Sequence, residues 1–245
     1  MGVVTVQKDG PVSIISINRP EKGNAISRQV ALDMQAAFAE FDASDQRVAV
    51  VTGAGEKAFS VGADVTDLPE LWRCIPTLGS RTDKPVIAAT SGWCVGGAMV
   101  LVMMADLAIA SETTKFSYPE AKLGFTGGII SALPSRIPHK IAMELILMCR
   151  PMDAQRAYEA GLVNKVVPAG KHLEEAVAWA HELSGFAPLV LKTIKRFVTE
   201  TVMPKGPSEL MARAMVDLLA VRESEDGQEG ARAFKEKRSP TFKGR

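Results

Sequence analysis

Cysteine is scarce in this chain. Only Cys74, Cys94 and Cys149 occur among 245 residues, scattered and odd in number. That excludes a disulfide framework, and no spacing among them reads as a metal site. Histidine is equally scarce, with His139, His172 and His181 all falling where the chain turns helical. No run of about 18 apolar residues exists to span a bilayer. The N-terminal MGVVTVQKDG lacks a basic segment followed by an apolar one, so no secretory signal is read there. Charge of one sign is also missing: 29 Lys and Arg stand against 28 Asp and Glu, a formal net charge of +1. That balance argues against nucleic acid or a membrane surface as the main partner. The basic end, Lys235 to Arg238 and Lys243 to Arg245, reads as a solvated tail. Few cysteines and no leader lead to the expectation of a cytoplasmic chain without a metal.

What is present is a strand-rich first half and a helical last third. Val3–Lys8 and Val12–Ile17 alternate around Asp9-Gly10 and predict a hairpin. Ser27 is placed to cap a helix over Arg28–Phe41, whose Val30, Met34, Ala37, Phe38 and Phe41 recur at helical spacing. Arg47–Val51, Pro85–Ala89 and Leu107–Ala110 read as short buried strands, and Lys115–Tyr118 as extended chain. Leu68–Leu78 reads as a short helix. The Gly53-Ala54-Gly55 turn has no following Gly-Lys-Ser/Thr, which excludes a nucleotide P-loop. Asp153 should cap a helix over Ala154–Ala160 that Gly161 ends. Further helices are expected over His139–Cys149, Leu173–Leu183, Pro188–Thr199, Ser208–Arg222 and Asp226–Lys237. The pattern is that of an α/β core with a helical C-terminal region, divided as residues 1–185 and 186–245.

The stretch Lys84–Asp106 organises the rest. An apolar strand breaks at Ser91-Gly92, and Gly96-Gly97 then opens an uncharged apolar segment, Ala98–Ala105. Glycines at a helix start let another molecule approach the free backbone N–H groups, which favour negative charge. A second exposed-backbone turn is expected at Phe59-Ser-Val-Gly-Ala-Asp64. A glycine loop is expected at Leu123–Gly128, entering an apolar segment over Ile129–Leu133.

Four segments stand together in order: Phe59-Ser-Val-Gly-Ala-Asp64; Lys84-Pro-Val-Ile-Ala-Ala89; Gly92-Trp-Cys-Val-Gly-Gly-Ala98 with Met104-Ala-Asp106; and Phe116-Ser-Tyr-Pro-Glu-Ala-Lys-Leu-Gly124. The set resembles the crotonase superfamily, the enoyl-CoA hydratase/isomerase family, and the likeness runs through Asp153–Asn164 to the last helix. It implies a crotonase-like spiral of ββα units with a C-terminal helical trimerisation region, assembled as a homotrimer or hexamer. It implies an acyl-CoA thioester substrate that carries its own CoA, with no further cofactor. The backbone N–H groups at Ala63 and Gly97 match the oxyanion donors, with Gly62, Asp64, Gly96, Gly128 and Ala25 in the binding surface. The loop Arg19–Ala25 matches the CoA channel in position. Glu120 matches one of two glutamates that handle water in the hydratases. The other position is Val100, which has no acid/base group. One carboxylate suffices to move a proton between the α and γ carbons, so the resemblance implies isomerase-type chemistry, with 2-enoyl-CoA hydration by a compensating residue or non-catalytic acyl-CoA binding as alternatives. Thr90, where the family has an aliphatic residue, and a short Asp64–Lys84 segment are departures.

Overall fold

The computed structural model describes residues 2–245. Two sheets form its centre. The larger contains β1 (Val4–Asp9), β2 (Val12–Ile17), β3 (Val48–Gly53), β5 (Val86–Thr90), β7 (Leu107–Ser111) and β10 (Lys165–Val167), in the order β1-β2-β3-β5-β7-β10. β1 and β2 are the antiparallel hairpin, and every other neighbouring pair is parallel. The smaller contains β4 (Ala58–Ser60), β6 (Trp93–Val95), β8 (Lys115–Ser117) and β9 (Met152–Asp153), with only the β8–β9 pair antiparallel. The chain thus steps from a strand of the large sheet to one of the small sheet and on to a helix. β5–β6 leads to α2 (Gly97–Met104) and β7–β8 leads to α3 (Glu120–Leu123), the strand–strand–helix unit of the spiral.

Burial explains the apolar runs. Both faces of β3, β5 and β7 are covered, as expected for parallel strands. Ala49, Val51, Val86, Ala88, Ala108 and Ala110 face one core. There they meet α1 (Arg28–Ala43) and α2. The alternate residues Val48, Val50, Ile87, Ala89 and Ile109 face Ala176 and Ala180 of α6 (His172–Ser184). Every residue of α2 is buried, which is why that segment carries no polar face. Ser27 caps α1 by accepting from Val30 N–H, and Asp153 caps α5 (Ala154–Glu159) by accepting from Arg156 N–H.

The expected helix over Leu68–Leu78 is absent. A single 3-10 turn, Leu71–Cys74, stands in its place. Pro69 precedes it, Thr77 takes a positive φ of 67°, and Gly79 packs on the Arg73 backbone, so the helix can extend in neither direction. Glu120 opens the one-turn helix α3 rather than lying in open loop. The expected Ile129–Leu133 segment is a 3-10 turn over Ile129–Ser135. α4 covers His139–Met148. The C-terminal region comprises α7 (Pro188–Phe197), a π turn at Val198–Val202, α8 (Pro207–Glu223) and α9 (Glu225–Glu236). No residue of α7 is buried, and Leu189, Ile194, Phe197, Val221 and Phe234 are exposed along these helices. Among the described residues, no helix is long and apolar enough to cross a membrane.

Candidate functional site

Three glycines with positive φ shape one corner of the molecule. Gly62 has φ 90°, and a Cβ there would lie 2.7 Å from the Val95 carbonyl oxygen and 3.6 Å from Gly97 N. Glycine is therefore what lets the 61–64 segment lie against the start of α2. Gly96 has φ 56°, and its N–H donates to the Ser117 carbonyl at 2.9 Å, tying the turn to β8. A Cβ on Gly96 would stand 2.6 Å from Glu120 Oε1, so the Glu120 carboxylate rests on the glycine backbone. Gly128 has φ 76° and leaves the space that Ser208 Oγ of α8 enters.

The turn at 61–64 is held from behind. Ile26 N–H donates to the Gly62 carbonyl at 2.8 Å, and Asp64 N–H donates to the Ile26 carbonyl at 2.9 Å. Arg19 forks onto Asp64 Oδ2 at 3.1 and 3.2 Å and donates to the Ala25 carbonyl at 2.7 Å. Asn24 donates to the Ala54 and Ala58 carbonyls, locking the 19–25 loop. The Ala63 N–H between these bonds, and the Gly97 N–H at the first position of α2, donate to no acceptor among the described residues. The first N–H groups of a helix have no acceptor within it. Two residues with free N–H donors, from distant parts of the chain, thus border one space.

They open onto a cavity of about 260 Å³. Ala63, Gly97, Val100 and Glu120 all line it, so four residues singled out in the sequence converge. Asp64, Ala25, Gly62, Gly96 and Gly128 do not line it. Asp64 and Ala25 serve the Arg19 clamp, and the three glycines shape the backbone behind the wall. Gly127 rather than Gly128 borders the space. Most of the remaining wall is apolar: Leu68, Leu71 and Trp72 from the irregular segment, Phe125 and Ile129 beyond α3, and Met211 and Ala212 of α8, with Glu70, Tyr118 and Ser208 as its polar members. No sequence signal marks the α8 residues, because only the tertiary packing of that helix on the 3-10 turn Ile129–Ser135 brings them here. Leu71 is legible only through its partner: a side chain on Gly97 would fall on Leu71.

Glu120 is buried, and its Oε2 has no hydrogen-bond partner among the described residues. Burial pushes its carboxyl up from 4.5 to about 7, against the opposing pull of its own backbone N–H. Glu70 also borders the cavity, but it is half exposed and pairs with Arg73 at 2.8 Å. Tyr118 is buried in the wall, with its hydroxyl 3.0 Å from Thr126 Oγ1. His181 pairs with Asp9, buried His172 stands by Glu56, and no histidine reaches the cavity. Cys94 is buried and does not line it either. A second cavity, of about 290 Å³, lies between the end of α2 and the start of α8 and contains Arg136, Lys205 and Glu209. It includes none of Ala63, Gly97, Val100, Tyr118 and Glu120. No group of three or more potential metal-ligating residues is found among the described residues.

Residues 7–245 match the family model described as enoyl-CoA hydratase/isomerase. The carnitinyl-CoA dehydratase of Salmonella enteritidis PT4 is 36% identical over 255 aligned positions, covering 97% of each chain. Among solved structures, the carnitinyl-CoA hydratase of Mycobacterium avium superimposes with a TM-score of 0.77 at 33% identity, covering 100% of both chains. An enoyl-CoA hydratase of Mycobacterium tuberculosis H37Rv gives 0.76 at 34% identity, again over 100% of both.

Proposed function

The chain belongs to the enoyl-CoA hydratase/isomerase family, and from that premise we propose that Glu120 moves protons on the acyl part of a CoA thioester whose oxygen is held by the Ala63 and Gly97 N–H groups. The observation that carries this reading is the Glu120 carboxylate, buried and unpartnered in the same cavity as two free N–H donors. Abstraction of an α proton places negative charge on the thioester oxygen. Fixed backbone donors stabilise that charge without reorganising.

Val100 favours isomerisation. It stands one turn along α2 from Gly97 and lines the cavity as an apolar wall. With one unpaired carboxylate, the reaction that closes on itself is transfer of a proton from the α to the γ carbon of a 3-enoyl thioester. Glu120 ends such a cycle as it began, and no water is consumed. The names of the relatives, dehydratases and hydratases, favour a second reading: reversible addition of water to a 2-enoyl thioester.

Purified protein assayed with crotonyl-CoA and with a 3-enoyl-CoA tests both. Turnover of the 3-enoyl ester without hydration of crotonyl-CoA supports isomerisation, and rapid hydration overturns the inference from Val100. Val100→Glu should supply the missing carboxylate. Its hydration of crotonyl-CoA is expected to rise about tenfold or more. Its stability should fall by about 1–3 kcal/mol, because a polar group enters an apolar wall. Unchanged hydration in a folded variant would sink the idea that a second carboxylate is what hydration lacks here.

The pH dependence has a definite sign. Glu120 takes a proton only as the carboxylate, so kcat/KM for the 3-enoyl ester should rise with pH and level off above about 7, the value to which burial lifts it. A profile already flat from pH 5 upward would place the essential base elsewhere.

A further inference from the structure

We infer that the Tyr118 hydroxyl holds the water, or the 3-hydroxyl oxygen, in this site, giving the chain, beside isomerisation, a slower reversible hydration activity that uses Glu120 as the sole proton carrier. The inference rests on the reading of Glu120 given above. Tyr118 and Glu120 line one cavity with Val100, and the Glu120 charge acts on the Tyr118 hydroxyl. Thr126 Oγ1 lies 3.0 Å from that hydroxyl and already accepts from the Gly128 N–H at 3.1 Å. Its own O–H is placed to donate to the phenol oxygen, the direction that agrees with the bond lowering the phenol's proton affinity. With the Thr126 hydroxyl bonded to its oxygen, the phenol keeps its own O–H to donate into the cavity. Burial raises the phenol to about 12, the Thr126 bond opposes the rise and the Glu120 charge adds to it, so the group stays neutral through the physiological range.

A water that donates one hydrogen to Glu120 and accepts the Tyr118 O–H keeps its other lone pair for the substrate. Hydration then balances with one carboxylate. The water oxygen bonds to C3 as the C2–C3 π pair moves onto the thioester oxygen, between the Ala63 and Gly97 N–H groups. Glu120 takes the proton the water releases and gives it to C2, which restores the thioester carbonyl and the carboxylate. Tyr118 keeps its own proton throughout. Dehydration is the reverse, with the departing hydroxyl leaving as water. The tyrosine thus replaces the water-orienting half of a carboxylate pair, while the Glu120 carboxylate does both proton transfers.

The test measures hydration of crotonyl-CoA and isomerisation of 3-hexenoyl-CoA in the intact chain, in Tyr118→Phe and in Thr126→Val. The hydration-to-isomerisation ratio should fall about tenfold in Tyr118→Phe, the loss of one hydrogen bond to the reacting water. The fall should be in kcat more than in KM. Thr126→Val leaves the hydroxyl in place but unfixed, and should lower the ratio less. It also keeps the test open should Tyr118→Phe fold poorly. A ratio unchanged in both variants, or a wild-type chain that isomerises without hydrating, overturns the inference and leaves the Glu120 reading standing. Full activity of Glu120→Gln in both assays would instead remove the reading on which the inference rests.

Discussion

Glu120→Gln is expected to lower turnover of an acyl-CoA substrate by about 10²–10⁴-fold with little change in the shape of the cavity. Gln matches Glu in size and can still rest on the Gly96 backbone, where the carboxylate now lies. What it lacks is a site that gains and loses a proton near neutral pH. The same variant should be more stable than the wild type at pH 8. The wild-type carboxyl is lifted from 4.5 to about 7 by burial. Between those values the folded chain keeps a proton that the unfolded chain has released. Wild-type stability therefore falls as pH rises across that window and is level above it. Each tenfold change in proton affinity corresponds to about 1.36 kcal/mol. Water at the mouth of the cavity screens part of this, so a gain of about 1–3 kcal/mol is expected for the variant at pH 8. Denaturant titrations at pH 5 and pH 8 measure it: the two proteins should be close at pH 5 and apart at pH 8. A variant that keeps its activity and shows no pH-dependent difference would remove Glu120 from the mechanism.

The second large effect is expected at Gly62, a residue that lines nothing. Gly62→Ala places a methyl group 2.7 Å from the Val95 carbonyl oxygen, at a φ of 90° that L residues rarely adopt. Such backbone strain costs about 1–3 kcal/mol. The neighbour is backbone of β6 rather than the end of a flexible side chain, so the 61–64 segment has to move. Movement there separates the Ala63 N–H from the Gly97 N–H. Losing one oxyanion donor costs about 2.7–4 kcal/mol of transition-state stabilisation, a fall in kcat of about 10²–10³. KM should change far less, because the acyl wall stays in place. Ala63→Gly keeps the N–H and serves as the comparison, with kcat expected within a few-fold of wild type. Equal kcat values for Gly62→Ala and wild type would show that the Ala63 N–H is not a donor in the reaction.

The two variants report different kinds of information. Gly62, Gly96 and Gly97 are visible in the sequence as glycines at breaks in an apolar pattern, because their requirement is local. A positive φ or a close approach of two backbones excludes a side chain wherever the chain goes afterwards. The caps at Ser27 and Asp153 are visible for the same reason, since a cap is satisfied within three residues. The short helix expected over Leu68–Leu78 does not form, because Pro69 overrides the apolar spacing at its start. The positive φ at Thr77 and the packing of Gly79 on Arg73, which stop it at the other end, exist only in three dimensions.

The sequence by itself determined a strand-rich first half with a helical last third, the all-apolar run of α2 and the residue types at positions 63, 97, 100 and 120, and through its resemblance it implied the strand–strand–helix plan. These follow from periodicities of a few residues and from an ordered set of motifs. Only the tertiary structure decided that Ala63, Gly97, Val100 and Glu120 share one cavity, that Met211 and Ala212 of α8 close its wall, and that Asp64 turns to Arg19 instead. It also decided the proton affinity of Glu120 and the fixed orientation of Tyr118. Burial and hydrogen bonding between residues far apart in the chain set both, and neither leaves a mark in local spacing.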